Sequence, residues 1–297
     1  MRIILTFMLM LSCTIAYANA ADEAAGEIQD EQIKQLVATA FKQFKAGKHK
    51  EAIASMNKAN TIDPKDINVL ELRALMYREN NQYDKAVSDY TQLIKLDPEE
   101  EANYQFRGVC YFNLNKFKES VADFDKYIEM IPKSEPGHWQ RGISHYYAKM
   151  YAEGQKQFEV HKTVNAQDVE NAVWHYLCVA KQKNAAEAEK SIIPIKFDRR
   201  IPMMKVFALF SGKATPEDVL KEAERGADEI SKERLLLQRF YAHLYIGLYY
   251  EANNKPKLAR KHIKLAATKY AVEGYMGNVA RVHNREYEKL AKESKQK

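Results

Sequence analysis

The sequence predicts an all-α chain, a superhelical stack of helical hairpins (an α-solenoid), and three observations carry that prediction. Pro64, Pro98 and Pro132 stand 34 residues apart, each closing an apolar helical pattern. Small residues recur at fixed offsets before each proline. In a chain that is 46% hydrophobic and 29% charged, no run of alternating β-branched residues suggests strands. A repeat of this length is one hairpin that cannot bury its apolar face alone, so stacked copies share a core and expose a concave wall suited to recognition. The length of 297 residues decides nothing about domain number, because such a stack grows along one axis.

Aligned on their prolines, residues 33–66, 67–100 and 101–134 compare position by position. The eighth position holds Ala40, Ala74 and Gly108, and the twentieth holds Ala52, Ala86 and Ser120, small residues where paired helices approach closely. The twenty-fourth carries a large side chain, Met56, Tyr90 or Phe124, and the prolines end the second helix by withholding a backbone donor. Turns are marked by Lys48-His49, Asn81-Gln82-Tyr83 and Asn115-Lys116-Phe117. The segments YRENNQYDKAVSDYTQLIKLDP and YFNLNKFKESVADFDKYIEMIP resemble the tetratricopeptide repeat (TPR) consensus nearly throughout. That resemblance implies a TPR superhelix whose groove takes protein or peptide segments.

The ruler continues into residues 135–168, where Gly142, Tyr151 and Phe158 fall on schedule and Ala166 replaces the closing proline. Residues 31–168 are thus four TPR-like hairpins. Residues 169–234 read as an irregular helical segment: two short helices with a turn at Asn184, breaks at Pro194 and Pro202, an apolar helix over Met203–Phe210, and a helix start at Thr215-Pro216-Glu217-Asp218. Residues 235–297 contain a last hairpin, with Gly247, Tyr250, Ala259, Ile263 and Ala266 at the eighth, eleventh, twentieth, twenty-fourth and twenty-seventh positions. Gly274 and Gly277 close it. Val279, Val282, Glu286, Tyr287 and Leu290 then mark an amphipathic capping helix.

Residues 1–20 read as a secretory signal peptide, with Arg2, an apolar stretch and Ala18-Asn19-Ala20 as the cleavage site, followed by a flexible acidic leader over 21–30. The apolar run is shorter than the roughly 20 residues a spanning helix needs, so no transmembrane span is expected in the mature chain. The expected location is periplasmic or secreted. Cys13 keeps open an alternative, a lipid-anchored envelope protein, although Met10-Leu11-Ser12 is a poor lipidation context. Losing Arg2 lowers the net charge of +6 by one, and the lysines interleave with acids along helices, which excludes a nucleic-acid stripe. Cys110 and Cys178 lie in apolar helical stretches and read as small hydrophobes rather than a disulfide.

No phosphate loop, Gly-x-Ser-x-Gly or His-Glu-x-x-His motif is present, so the chain reads as a non-enzyme with no cofactor. His138, His145, His161 and His175 lack the i, i+4 spacing and carboxylates of a metal site, and none is assigned. In the TPR resemblance, the groove is lined by the first helix of each hairpin. This implies a peptide-binding site of Phe41, Phe44, Arg78, Gln105, Phe112, Asn113, Trp139 and Tyr146. The fifth and ninth positions of the first repeat are Val37 and Phe41 rather than Lys and Asn, so a terminal-carboxylate clamp is not expected. The aromatics would dock apolar side chains, while Arg78, Gln105 and Asn113 would orient a backbone. Cover by the chain's own helices, by its leader or by a second copy is the open alternative.

The order of parts is also similar to NlpI-like periplasmic TPR proteins, through the repeats, GHWQRGISHYY, WHYLCVAKQKNAAEAEK, FALFSGKATPEDVLKEAE and YIGLYYEANNKPKLARKHIKLAA. That resemblance implies a homodimeric adaptor linking envelope hydrolases or proteases to clients. The alternatives are an enzyme of unrecognised type and an accessory subunit of an outer-membrane or secretion assembly.

Overall fold

The structure, a computed structural model, describes residues 26–296. The expected signal peptide, Cys13 and the first residues of the leader lie outside the described residues. All regular structure among the described residues is helical. The chain divides into two compact units after Asn103.

The first unit holds α1 over residues 26–45, α2 (His49–Ile62), α3 (Ile67–Glu79) and α4 (Tyr83–Leu96), two antiparallel hairpins. Asp66 caps α3 by accepting a hydrogen bond from the Val69 backbone N–H at 3.0 Å, which fixes where the second hairpin starts. Its core is the predicted small-large pairing, with Ala40, Ala52, Met56, Ala74, Ala86 and Tyr90 buried.

The second unit begins within α5 (Glu101–Asn113) and continues through α6 (Phe117–Met130), a short 3₁₀ turn over Pro132–Gly137, α7 (Trp139–Tyr147) and α8 (Tyr151–His161). Then follow α9 (Val169–Gln182), α10 (Ala185–Lys190), α11 (Met203–Phe210), α12 (Pro216–Ala223), α13 (Lys232–Ala252), α14 (Pro256–Ala267) and α15 (Tyr275–Gln296). The expected cap at Thr215 is a capping box: Asp218 donates its backbone N–H to the Thr215 hydroxyl and its carboxylate accepts from the Thr215 backbone N–H. Ser231 caps α13, which therefore starts eight residues before the repeat register reaches Phe240.

Three devices recur with the repeat. The first is steric. A Cβ on Gly108 would sit 2.7 Å from the Phe124 ring, one on Gly142 2.7 Å from Phe158, and one on Gly247 2.7 Å from Ile263. Glycine at the eighth position thus lets the twenty-fourth side chain lie against the facing helix backbone. The second is the turn, where the fifteenth residue is left-handed in each of these hairpins: Gly47, Asn81, Asn115, Lys149 and Asn254, with φ between 56° and 73°. In the first hairpin this places the turn at Gly47, one residue before the expected Lys48-His49, because glycine adopts that conformation without strain. Lys149 has neither glycine's freedom nor an Asn side chain, so Lys149→Gly is expected to stabilise the protein by about 1 kcal/mol. A urea midpoint that rises slightly checks this.

The third device is electrostatic and was not foreseen from the sequence. Arg73 grips Asp89 through Nε and Nη2 at 2.8 and 2.7 Å, and Arg107 grips Asp123 in the same fork at 2.8 Å. These are positions seven and twenty-three of their repeats. In the fourth repeat Arg141 meets Gln157 at 2.9 Å and Asp125 at 2.6 Å. Each bidentate pair ties the two helices of one hairpin together inside a nearly dry seam.

The predicted irregular segment supplies the centre of the second unit. Residues 171–179 of α9 are buried on every side, among them Trp174, Tyr176, Leu177 and Cys178. A helix apolar all round belongs inside, and α7, α8, α10, α11 and α13 all pack on it.

Candidate functional site

Repeat geometry places the eight groove residues on first helices of hairpins, and the two units treat them differently. In the first unit Phe41 is 49% exposed, with Lys45 Nζ 4.4 Å above its ring. Leu75, at the same repeat position in α3, is 36% exposed. Phe44 is half-buried edge-on to His49 at 4.8 Å, and half-buried Arg78 pairs with Glu79 at 3.3 Å. The face offers two separate apolar side chains, Phe41 with Lys45 beside it and Leu75.

In the second unit the corresponding face is covered by the chain's own last helix. Tyr275 at the start of α15 stacks on Phe112 (5.4 Å, 21°) and receives the edge of Trp139 at 4.9 Å. Phe112 and Tyr146 are buried, and Trp139 is partly covered. About two and three turns on, His283 and Tyr287 continue the seat. His283 Nδ1 lies 2.8 Å from the Tyr147 hydroxyl, and Arg285 donates to the Asn113 carbonyl at 2.6 Å. Glu286 accepts from the Asn115 amide.

A half-buried carboxylate clasps this helix. Glu251 of α13 accepts from His283 Nε2 at 2.7 Å, the Tyr287 hydroxyl at 2.5 Å, Lys181 Nζ at 2.7 Å and the Tyr146 hydroxyl at 3.1 Å. Burial would push its pKa up, but His283 and Lys181 outweigh that and hold it well below the usual carboxylate range. Burial pushes the Tyr146 and Tyr147 hydroxyls well up, so both remain neutral. A cavity of about 490 Å³ flanks the clasp, lined by Tyr151, Lys181, Glu251, Tyr287 and Leu290 among others.

The polar groove residues are already engaged. Gln105 joins Gln140 at 2.8 Å and His138 Nε2 at 2.6 Å, and the Asn113 amide donates to the Val109 carbonyl at 2.9 Å. The side chains expected to orient a ligand backbone thus already carry hydrogen bonds within the unit. The four histidines considered for a metal also go separate ways: His161 Nδ1 pairs with the Pro136 carbonyl at 2.8 Å and His175 with Glu159 at 3.3 Å. No group of three or more potential metal ligands occurs among the described residues. Cys110 and Cys178 are both buried as thiols.

The residues around α15 were hidden because a trailing amphipathic helix announces an apolar face without saying what it meets. The one available signal was that Tyr275, His283 and Tyr287 share a helical face.

The tetratricopeptide repeat family is matched over residues 43–66 and 72–135. The chain carries tetratricopeptide repeats over those residues. This TPR chain is similar to the crystal structure of a tetratricopeptide repeat protein from Parabacteroides merdae ATCC 43184, at 16% identity and a TM-score of 0.55. The match covers 86% of this chain and 98% of that one. It is also similar to the MamA protein, at 14% identity and a TM-score of 0.51 over 68% of this chain and 97% of that one. At such identities these TPR relatives show the fold alone. No curated protein matches the chain. The repeat architecture is that of a protein-interaction scaffold. No helix among the described residues is long and apolar enough to cross a membrane.

Proposed function

We propose that the protein is an exported, non-catalytic TPR scaffold that binds a helical or extended protein segment on the first-helix faces of its hairpins, as an adaptor between envelope hydrolases or proteases and their clients. The observation that carries this reading is the seat of α15. In the second unit, first-helix aromatics already hold an amphipathic helix through stacked rings and a rim of hydrogen bonds, the helix-in-groove mode of recognition. In the first unit the same repeat positions present Phe41 and Leu75 to solvent. That is where a partner's apolar side chains would dock, with Lys45 and Arg78 placed to meet acidic groups beside them. Export rests on residues 1–20 of the sequence.

The test is affinity capture from an envelope extract with the wild type and a Phe41→Ala/Leu75→Ala variant. Loss of a hydrolase, protease or assembly component from the variant, at unchanged melting temperature, is the expected result. Equal capture by both proteins would overturn the assignment of the face. Turnover of an envelope substrate by the purified chain alone would overturn the scaffold.

A further inference from the structure

A second recessed site lies in the second unit and shares only Trp139 with the groove positions. Between α7, α8, α9 and the segment before α11 is a cavity of about 220 Å³. Trp139, Phe158 and Trp174 supply aromatic walls, and Asp168, Glu170, Asn171 and Arg200 supply polar ones. Arg200 is 41% exposed at its side chain, so the cavity meets solvent there. An apolar cavity of about 150 Å³ is enough for benzene, so this one accommodates a ligand of comparable or somewhat larger size.

Its polar lining is unbalanced in charge and in hydrogen bonding. Three carboxylates converge on one guanidinium: Arg200 Nη2 lies 2.7 Å from Asp168 and 2.6 Å from Asp198, and Nη1 lies 3.4 Å from Glu170 Oε1. With Asp168 and Asp198 ionised one negative charge is left in excess, and a second whenever Glu170 is ionised. Burial, with Asp168 adding to it against Arg200, pushes Glu170 up to about 7. Asn171 Oδ1 accepts no hydrogen bond within the protein and the Trp174 Nε1–H donates none, while Glu170 Oε1 makes no hydrogen bond of good geometry, with Arg200 Nη1 at 3.4 Å and the Tyr241 and Tyr245 hydroxyls beside its carboxyl group. Asn171 and Trp174 are 4% and 1% exposed, so solvent at the surface does not satisfy them. Buried polar groups left this way cost about 1 to 3 kcal/mol each.

The geometry points to a binding site for a small organic cation, an alkylammonium or guanidinium group such as a basic side chain carries. A cationic head donates to Asn171 Oδ1, which has no partner, and to Glu170 Oε1, which has no hydrogen bond of good geometry. Its alkyl stem packs among three aromatic rings whose faces attract positive charge. An acceptor beside the head, such as an amide carbonyl, takes the Trp174 N–H. An anion meets the surplus carboxylates, and a neutral apolar ligand leaves all three polar atoms unpaired.

Trp139 and Trp174 are the two tryptophans of the sequence, so intrinsic tryptophan emission of the full chain reports on this cavity. The probes are n-butylammonium, acetyl-lysine amide with a free side-chain amine, and 1-butanol. A saturable emission change with the two cations, and none with 1-butanol at equal concentration, is expected. Tighter binding of the lysine amide identifies a peptide side chain as the source, and tighter binding of n-butylammonium a free amine. Glu170→Gln should weaken cation binding at least tenfold while its melting temperature holds or rises. An equal response to 1-butanol, no saturable change with either cation, or undiminished binding in a folded Glu170→Gln protein would overturn the site.

Discussion

Replacing Phe112 with alanine is expected to lower stability by about 3 to 5 kcal/mol, one of the two largest effects anticipated for this protein. The ring is fully buried and touches Phe117, Tyr147 and Tyr275 at centroid distances of 5.7, 5.4 and 5.4 Å. Its removal leaves a cavity under the first turn of α15 that rigid neighbours cannot fill. For a unit of this size the melting temperature should fall by roughly 10 °C or more. Phe41→Ala, on an exposed face, should stay within about 0.5 kcal/mol. Thermal melts of the two variants separate a ring that holds the molecule together from one free to meet a partner. Equal, small shifts would mean that α15 does not close the second unit's groove.

Acid should destabilise the protein well before its carboxylates are neutralised. Burial pushes His138, His145 and His243 down to about 4, the last with help from His262, whose Nδ1 lies 2.9 Å from its own. The direction follows from proton uptake. Below about pH 6.5 the unfolded chain binds protons at these residues, whereas the folded chain refuses them until about pH 4. Stability is therefore complete above pH 6.5 and is lost as pH falls through that window. At pH 5 each histidine costs about 2 kcal/mol by this linkage. Glu170 acts in the opposite sense: with its folded pKa near 7, it returns about 2 kcal/mol over the same descent. The net expectation is a loss of about 4 kcal/mol between pH 7 and 5, read as a fall in the urea midpoint. A flat profile would mean that these imidazoles are hydrated.

Much of the fold was legible because the repeat imposes the same physical problem several times. Small residues at the eighth and twentieth positions, bulk at the twenty-fourth, and the cap at Thr215 each announce a local solution, and each is found in place. The Arg73–Asp89 and Arg107–Asp123 forks were equally periodic, yet charged residues on amphipathic helices read as solvated until a neighbouring helix encloses them. The middle of the chain was harder. In α9 an unbroken apolar run marks burial but does not say which helices bury it, and those come from as far along the chain as α13. The candidate groove was legible as a set of positions, since first-helix periodicity named Phe41, Phe112 and Trp139 alike. Which of them faces water is decided by Tyr275, His283 and Glu251, brought there by tertiary contacts of long range.

One division organises the molecule, an open first-helix face in the first unit and a self-occupied one in the second. Photo-crosslinking from a benzoylphenylalanine placed in turn at position 41 and at position 139 of the full chain tests it directly. Position 139 should crosslink within the chain to the peptide that contains Tyr275, and position 41 should crosslink to a separate partner protein. Partner crosslinks from position 139 together with none from position 41 would contradict the account.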